Sequence, residues 1–113
     1  MDMRERVVEG VTVLDLSGKI ILGEGDVQIR ERIKELLADG QKRILLNLAE
    51  VTYMDSAGLG GLISSYATVN REKGQLKLVN LGHRVQDLLS ITKLITVFES
   101  YDDEKVALAS FKA

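Results

Sequence analysis

One short segment of the 113-residue chain, MDSAGLGGL at residues 54–62, places an acid, a hydroxyl and three glycines together. A serine beside an aspartate could act as a nucleophile or cap a helix. A Ser-His-Asp triad would need the only histidine, His83, and nothing in its surroundings singles it out. We therefore expect Ser56 to be the N-cap of a helix that starts near Ala57.

Gly58, Gly60 and Gly61 fall in the first turns of that predicted helix, where each glycine costs about 0.5–1 kcal/mol relative to alanine. Their presence indicates that something approaches the backbone closely: a bound phosphate, a second protein or a tightly packed neighbouring helix. Phosphate-binding fingerprints do not match, because there is no Gly-Lys-Ser/Thr and Ile63 replaces the third glycine of a dinucleotide turn. A smooth contact surface and close internal packing both remain open.

The composition argues against several classes of function. There is no cysteine, which excludes disulfides, thiolate chemistry and a Cys-ligated zinc site. The net charge of −2 comes without a basic cluster, so we expect no nucleic-acid partner. No apolar run approaches the roughly 18 residues that span a bilayer, and the N-terminal segment is charged, so we expect a cytoplasmic protein without direct membrane insertion.

The elements that must position the segment alternate between strand and helix patterns. Strand patterns lie at 7–17, with Gly10 as a hairpin turn, and at 44–48, 75–81 and 97–98. Helical patterns begin at Asp26, after Ser56, near Val85 and at Asp102. The order β-β-α-β-α-β-α-(β)-α predicts an α/β fold, a sheet with helices packed on it, in a single domain over residues 1–113.

The segment MDSAGLGGL resembles the signature of the STAS domain. More narrowly, it resembles bacterial anti-sigma factor antagonists, in which Asp-Ser-(Ser/Ala/Thr)-Gly-Leu-Gly holds a phosphorylatable serine. The likeness covers nearly the whole chain: SGKI at 17–20 is similar to the family's Gly-x-(Ile/Leu), ILLNL at 44–48 to its central strand and GQLKL at 74–78 to its next strand. The resemblance implies a STAS-type mixed β-sheet of about four to five strands with about four helices packed on it.

The resemblance further implies a regulatory binding protein rather than an enzyme, with no cofactor or metal. Unphosphorylated, the protein would bind an anti-sigma factor that is also a serine kinase, and this binding would release a sigma factor. Phosphorylation of Ser56 by the kinase would dissociate the complex, and a serine phosphatase would reset the switch. The protein alone is expected to be monomeric.

The residues that the resemblance assigns to partner binding lie mainly in the signature: Asp55, Ser56, Ala57, Gly58, Leu59, Gly60 and Gly61. The family often carries an aspartate directly after Gly-x-(Ile/Leu), where this chain has Ile21-Leu22, and Glu24 or Asp26 could replace it. The simpler interpretation of these two acids is loop solvation and helix capping. Tyr53 could be exposed near the site.

Two other functions remain as alternatives. A STAS accessory subunit could dock on the ATPase of a membrane transport system and would share the same fold. A small nucleotide-binding enzyme built on the glycines and Ser56 is disfavoured, because the Walker lysine and a plausible base are missing.

Overall fold

Five strands and four helices make up the computed structural model, which describes residues 1–111. The last two residues of the predicted domain lie outside that range. In chain order the elements are β1 (Asp2–Val8), β2 (Val11–Ile20), α1 (Gly25–Ala38), β3 (Arg43–Met54), α2 (Ser56–Arg71), β4 (Gln75–Val79), α3 (His83–Ile91), β5 (Ser100–Tyr101) and α4 (Glu104–Ser110).

The strands form one sheet with the order β1-β2-β3-β4-β5. β1 and β2 make an antiparallel hairpin, and its turn at Glu9 and Gly10 has φ angles of 53° and 80°. The remaining neighbours pair in parallel, as expected for strands joined by helical crossovers. The predicted mixed sheet, its helices and the hairpin turn at Gly10 are confirmed.

Helices cover both faces of the sheet, which explains the continuous apolar run in β3. Ile44 and Leu46 belong to the core beneath α1, α2 and α3. Leu45 points to the opposite face, where α4 closes a smaller cluster with Phe111. Since side chains alternate along a strand, a strand buried on both faces needs apolar residues at successive positions.

The predicted edge strand at 97–98 is wrong. The edge strand is β5, Ser100–Tyr101, which pairs with the end of β4. Phe98 instead enters the main core, where its ring lies 5.2 Å from that of Tyr66 in an edge-on arrangement. The apolar pair Val97–Phe98 therefore reflects the burial of the Phe98 ring in the core, and it does not mark a strand.

β2 and β3 extend further than the sequence pattern predicted, and their length positions the site. β3 runs to Met54, and its pairing with β2 continues to Ile20↔Met54. Both strands are parallel, so their carboxyl ends meet at one edge of the sheet. The loop from β2 to α1 and the turn from β3 to α2 therefore lie next to each other.

Candidate functional site

Asp55 is the N-cap of α2, and Ser56 is its first helical residue. The Oδ1 atom of Asp55 accepts a hydrogen bond from the Gly58 N–H at 2.8 Å. The prediction that Ser56 caps the helix is wrong, because α2 begins one residue earlier than expected, at Ser56 itself, and Asp55 has the extended backbone that an N-cap requires. The helix is thus capped by the residue directly before the serine.

Asp55 also ties the turn to the neighbouring loop. Its Oδ2 atom accepts a hydrogen bond from the Leu22 N–H at 3.3 Å, and its own N–H donates to the Ile20 carbonyl at 3.3 Å. One carboxylate therefore binds two backbone amides from two different segments. Residues 20–22 and the start of α2 are held in a defined relation by this side chain.

Capping by Asp55 leaves Ser56 available. Its side chain is exposed, and its hydroxyl makes no hydrogen bond within residues 1–111. The hydroxyl lies at the amino end of a 16-residue helix, where the helix dipole is positive and the first amides have no intrahelical acceptor. This geometry presents a hydroxyl to an external reactant and places it where an added negative charge is tolerated.

The three glycines have different roles. A Cβ on Gly58 would lie 2.0 Å from the Ile20 carbonyl oxygen, and a Cβ on Gly61 would lie 3.0 Å from the Asp26 Cβ. Around Gly60 nothing lies within 4 Å of such a Cβ. Close internal packing therefore accounts for Gly58 and Gly61, and only Gly60 faces the open surface.

The predicted contact residues separate accordingly. Gly58, Gly61 and Leu59 are buried, and Leu59 is only 5% exposed in the main core. These three positions support the site from inside and cannot touch a partner directly, which corrects the smooth-surface interpretation for them. The accessible members of the signature are Asp55, Ser56, Ala57 and Gly60.

Glu24 and Asp26 lie beside the turn in different environments. Glu24 precedes α1, is exposed, and pairs with the terminal ammonium of Met1 at 3.1 Å. Asp26 lies in the first turn of α1, is 4% exposed and packs against Gly61. Its Oδ2 atom is 3.8 Å from Arg30, and its Oδ1 atom has no hydrogen-bond partner in the described part of the chain. Loop solvation and side-chain capping are therefore both wrong for Asp26.

Sequence reasoning missed two apolar residues at this edge. Leu22 is 74% exposed in the loop bound by Asp55, and Ile91 is 79% exposed at the end of α3. Val85 and Leu89 form the buried side of α3, and Ile91 is out of phase with them. This break in the helical periodicity could have identified Ile91 as exposed from the sequence. Tyr53, which we expected to be exposed, is 42% exposed.

Residues 1–111 hold no group of three or more His, Cys, Asp or Glu side chains placed to bind a metal ion. Across the same residues, none of the helices combines the length and the apolar character needed to cross a membrane.

Comparison with known proteins gives the family of this chain. The family model described as STAS domain matches residues 2–107. An anti-sigma F factor antagonist from Paenibacillus polymyxa is 29% identical over 104 residues, which are 91% of this chain and 88% of that protein. An anti-sigma-B factor antagonist from Bacillus subtilis (strain 168) is 36% identical over 83 residues, covering 70% of this chain and 75% of that protein.

A solved structure with the same fold is the Bacillus cell fate determinant SpoIIAA in its phosphorylated form. The TM-score is 0.75 at 20% sequence identity, and the match covers 96% of this chain and 98% of that one. At this identity the likeness concerns the fold alone.

Proposed function

Because this chain belongs to the STAS domain family, we propose that it is an anti-sigma factor antagonist controlled by phosphorylation of Ser56. In its unphosphorylated form it binds an anti-sigma factor that is also a serine kinase, and a sigma factor is released. The kinase phosphorylates Ser56, the complex dissociates, and a serine phosphatase restores the binding form. The observation that carries this proposal is the exposed, unbonded Ser56 hydroxyl at the amino end of α2.

The fold tolerates a phosphate at this position. A phosphoserine brings a charge of about −1.5 to −2 at neutral pH. At Ser56 that charge meets the positive end of the α2 dipole and the free amides of the first turn. Asp55 already satisfies the Gly58 amide, so the cap persists beside the new group. The switch therefore acts on the partner and leaves the domain folded.

The same phosphate opposes binding to a partner. Asp55 lies directly beside it, so an interface that covers Ser56 would bury like charges together. A penalty of ~3 kcal/mol would weaken binding about a hundredfold. In this mechanism Ser56 is a substrate hydroxyl, and the protein itself catalyses nothing.

Six of the seven signature residues have a role that fits their position. Ser56, Ala57 and Gly60 lie on the accessible side of α2 and touch the partner. Asp55 is a positioning residue, because it holds both the turn and the adjacent loop. Gly58 and Gly61 allow α2 to approach β2 and α1. The protein acts in the cytoplasm and as a monomer before it meets the kinase.

The test uses purified kinase-type anti-sigma factors encoded in the same genome, measured by isothermal titration calorimetry with an ATP analogue. We expect wild-type protein to bind one of them and Ser56→Asp to bind at least about tenfold more weakly. Asn70→Asp is the matched control, since Asn70 is exposed on the same helix about 21 Å further along its axis, and it should bind like the wild type.

A second measurement locates the phosphate. Incubation with the kinase and ATP, followed by peptide mass spectrometry, should place the phosphate on Ser56, and Ser56→Ala should stay unmodified. Wild-type affinity of Ser56→Asp, or modification at another serine, would contradict the proposed switch. Equal binding of the wild type and Ser56→Asp to a transport ATPase would indicate constitutive docking instead of a phosphorylation switch.

A further inference from the structure

A groove opens beside the Ser56 turn, between the end of β3 and the outer edge of α3. Its volume is about 250 Å³. This is below the roughly 300–1,000 Å³ of typical small-molecule pockets, and it suits one or two side chains. Apolar groups form most of the floor, and the lining residues are Tyr53, Met54, Arg84, Asp87, Leu88 and Ile91.

Exposed apolar side chains concentrate at this end of the molecule. Residues 1–111 expose six large apolar side chains, and three of them, Leu22, Tyr53 and Ile91, lie around the carboxyl ends of β2 and β3. Tyr53 is two residues before Asp55 on an extended chain, about 7 Å along the strand. The apolar surface is therefore continuous with the serine turn.

Ile91 has no role in the internal packing of α3. Val85 and Leu89 bury the inner side of that helix, and Leu88 is partly buried at the groove. Ile91 is 79% exposed, so most of its surface stays in contact with water in the isolated protein. When a partner covers such a side chain, its removal from water contributes about 25 cal/mol to the binding free energy per Å² of apolar surface buried.

The rim of the groove carries two charges without partners. Arg84 and Asp87 are exposed, and neither forms an ion pair or hydrogen bond within residues 1–111. An apolar centre with a polar rim is the usual organisation of a protein–protein contact. The opposite signs of the two rim charges favour a partner that presents a complementary pair beside an apolar side chain.

We infer that this groove receives an apolar side chain from the surface of the anti-sigma factor, as a second anchor beside the Ser56 turn. The inference rests on the proposed function. A standard interface buries about 800 Å² per partner, a patch about 30 Å across, so a partner centred on Ser56 also covers Tyr53 and Ile91. The anchor supplies affinity, while the charge state of Ser56 decides whether the complex forms.

The test compares two exposed apolar residues on different helices. Ile91→Gln should weaken binding to the purified anti-sigma factor about tenfold. Val106→Gln is the matched control, because Val106 is 57% exposed on α4 at the opposite face of the sheet, and its affinity should stay within about twofold of wild type. Circular dichroism melting curves should show that both variants remain folded.

The outcomes separate the two proposals. If wild-type protein binds the anti-sigma factor, Ser56→Asp does not, and Ile91→Gln binds like the wild type, the anchor is refuted and the switch stands. If wild-type protein binds none of these kinases, the proposed function is refuted, and the anchor that rests on it is refuted as well. A wild-type dimer in light scattering that Ile91→Gln dissociates would assign the groove to a second copy of this chain and overturn the inference.

Discussion

The carbonyl oxygen of Ile20 lies against the first turn of α2 at Gly58, where an added Cβ would come within 2.0 Å of it. The end of β2 and the start of the serine-bearing helix therefore touch through backbone. This contact brings the β2–α1 loop to the Asp55 carboxylate. The glycine is part of the mechanism by which the fold orients Ser56, although no partner can reach it.

Gly58→Ala should destabilise the protein by about 2 kcal/mol or more, because the methyl group would collide with backbone atoms that cannot move aside cheaply. Gly60→Ala is the matched variant, since nothing lies within 4 Å of a Cβ added there, and it should stabilise the helix by about 0.5–1 kcal/mol. Urea denaturation of both proteins gives the comparison. Equal effects at the two positions would refute the packing explanation.

Asp55→Asn should remove one of the two hydrogen bonds that this side chain accepts and keep the other. The amide oxygen of asparagine can still cap the Gly58 N–H, but its NH2 group cannot accept from Leu22. We expect the free energy of unfolding to fall by about 1 kcal/mol in Asp55→Asn and by about 2 kcal/mol in Asp55→Ala.

Amide hydrogen exchange by NMR identifies the bond that is lost in each Asp55 variant. The Leu22 amide should exchange faster in both variants, and the Gly58 amide should exchange faster only in Asp55→Ala. Unchanged Leu22 exchange in Asp55→Asn would contradict the role of Asp55 in holding the loop.

Asp15 on β2 should contribute stability that depends on pH. The Arg6 guanidinium, bonded to its carboxylate at 2.6 and 2.9 Å, and an N–H of Asn47 hold the pKa of Asp15 below its ordinary value of 3.8. A depressed folded-state pKa stabilises the fold above the ordinary value, and this contribution is lost as the pH falls through the lowered pKa. Asp15→Asn should therefore cost on the order of 1 kcal/mol at about pH 6 and less at about pH 3.

Chemical denaturation at the two pH values measures this difference. Asp39→Asn serves as the control, because Asp39 is exposed and forms no ion pair within residues 1–111. A stability gap between wild type and Asp15→Asn that stays constant with pH would refute the assignment.

Lys77 should hold α4 against the sheet. It is 5% exposed, and its Nζ atom lies 3.0 Å from the Ser110 carbonyl oxygen, 2.9 Å from the Glu99 carboxylate and 4.8 Å from the Phe111 ring centre. Lys77→Met keeps the apolar stem and removes the ammonium group, so we expect a loss of about 1 kcal/mol and faster amide exchange in α4.

The serine site provides an internal control for Lys77→Met. α4 packs on the face of the sheet opposite to α1, α2 and α3, so phosphorylation of Ser56 by the kinase should proceed at the wild-type rate. A large change in that rate would indicate coupling between the two faces that the contacts do not explain.

Much of the fold was predictable, because the signals are local. Alternating or continuous apolar runs and helical periodicity depend on neighbouring residues, and they predicted the order of strands and helices and the turn at Gly10. The prediction at 97–98 failed for the opposite reason. Whether Phe98 pairs in a sheet or fills a core depends on Tyr66, which is distant in sequence.

The sequence by itself determined the family likeness and the presence of a serine where a strand passes into a helix. Only the tertiary structure decided what the neighbouring residues do. Asp55 rather than Ser56 caps α2, Gly58 meets Ile20, and Asp26 is buried against Gly61. The two glycine contacts join segments that are more than twenty residues apart in the chain, and the position of the cap depends on how far β3 extends beside its parallel neighbour. Composition and periodicity describe only neighbouring residues, so they cannot predict such contacts.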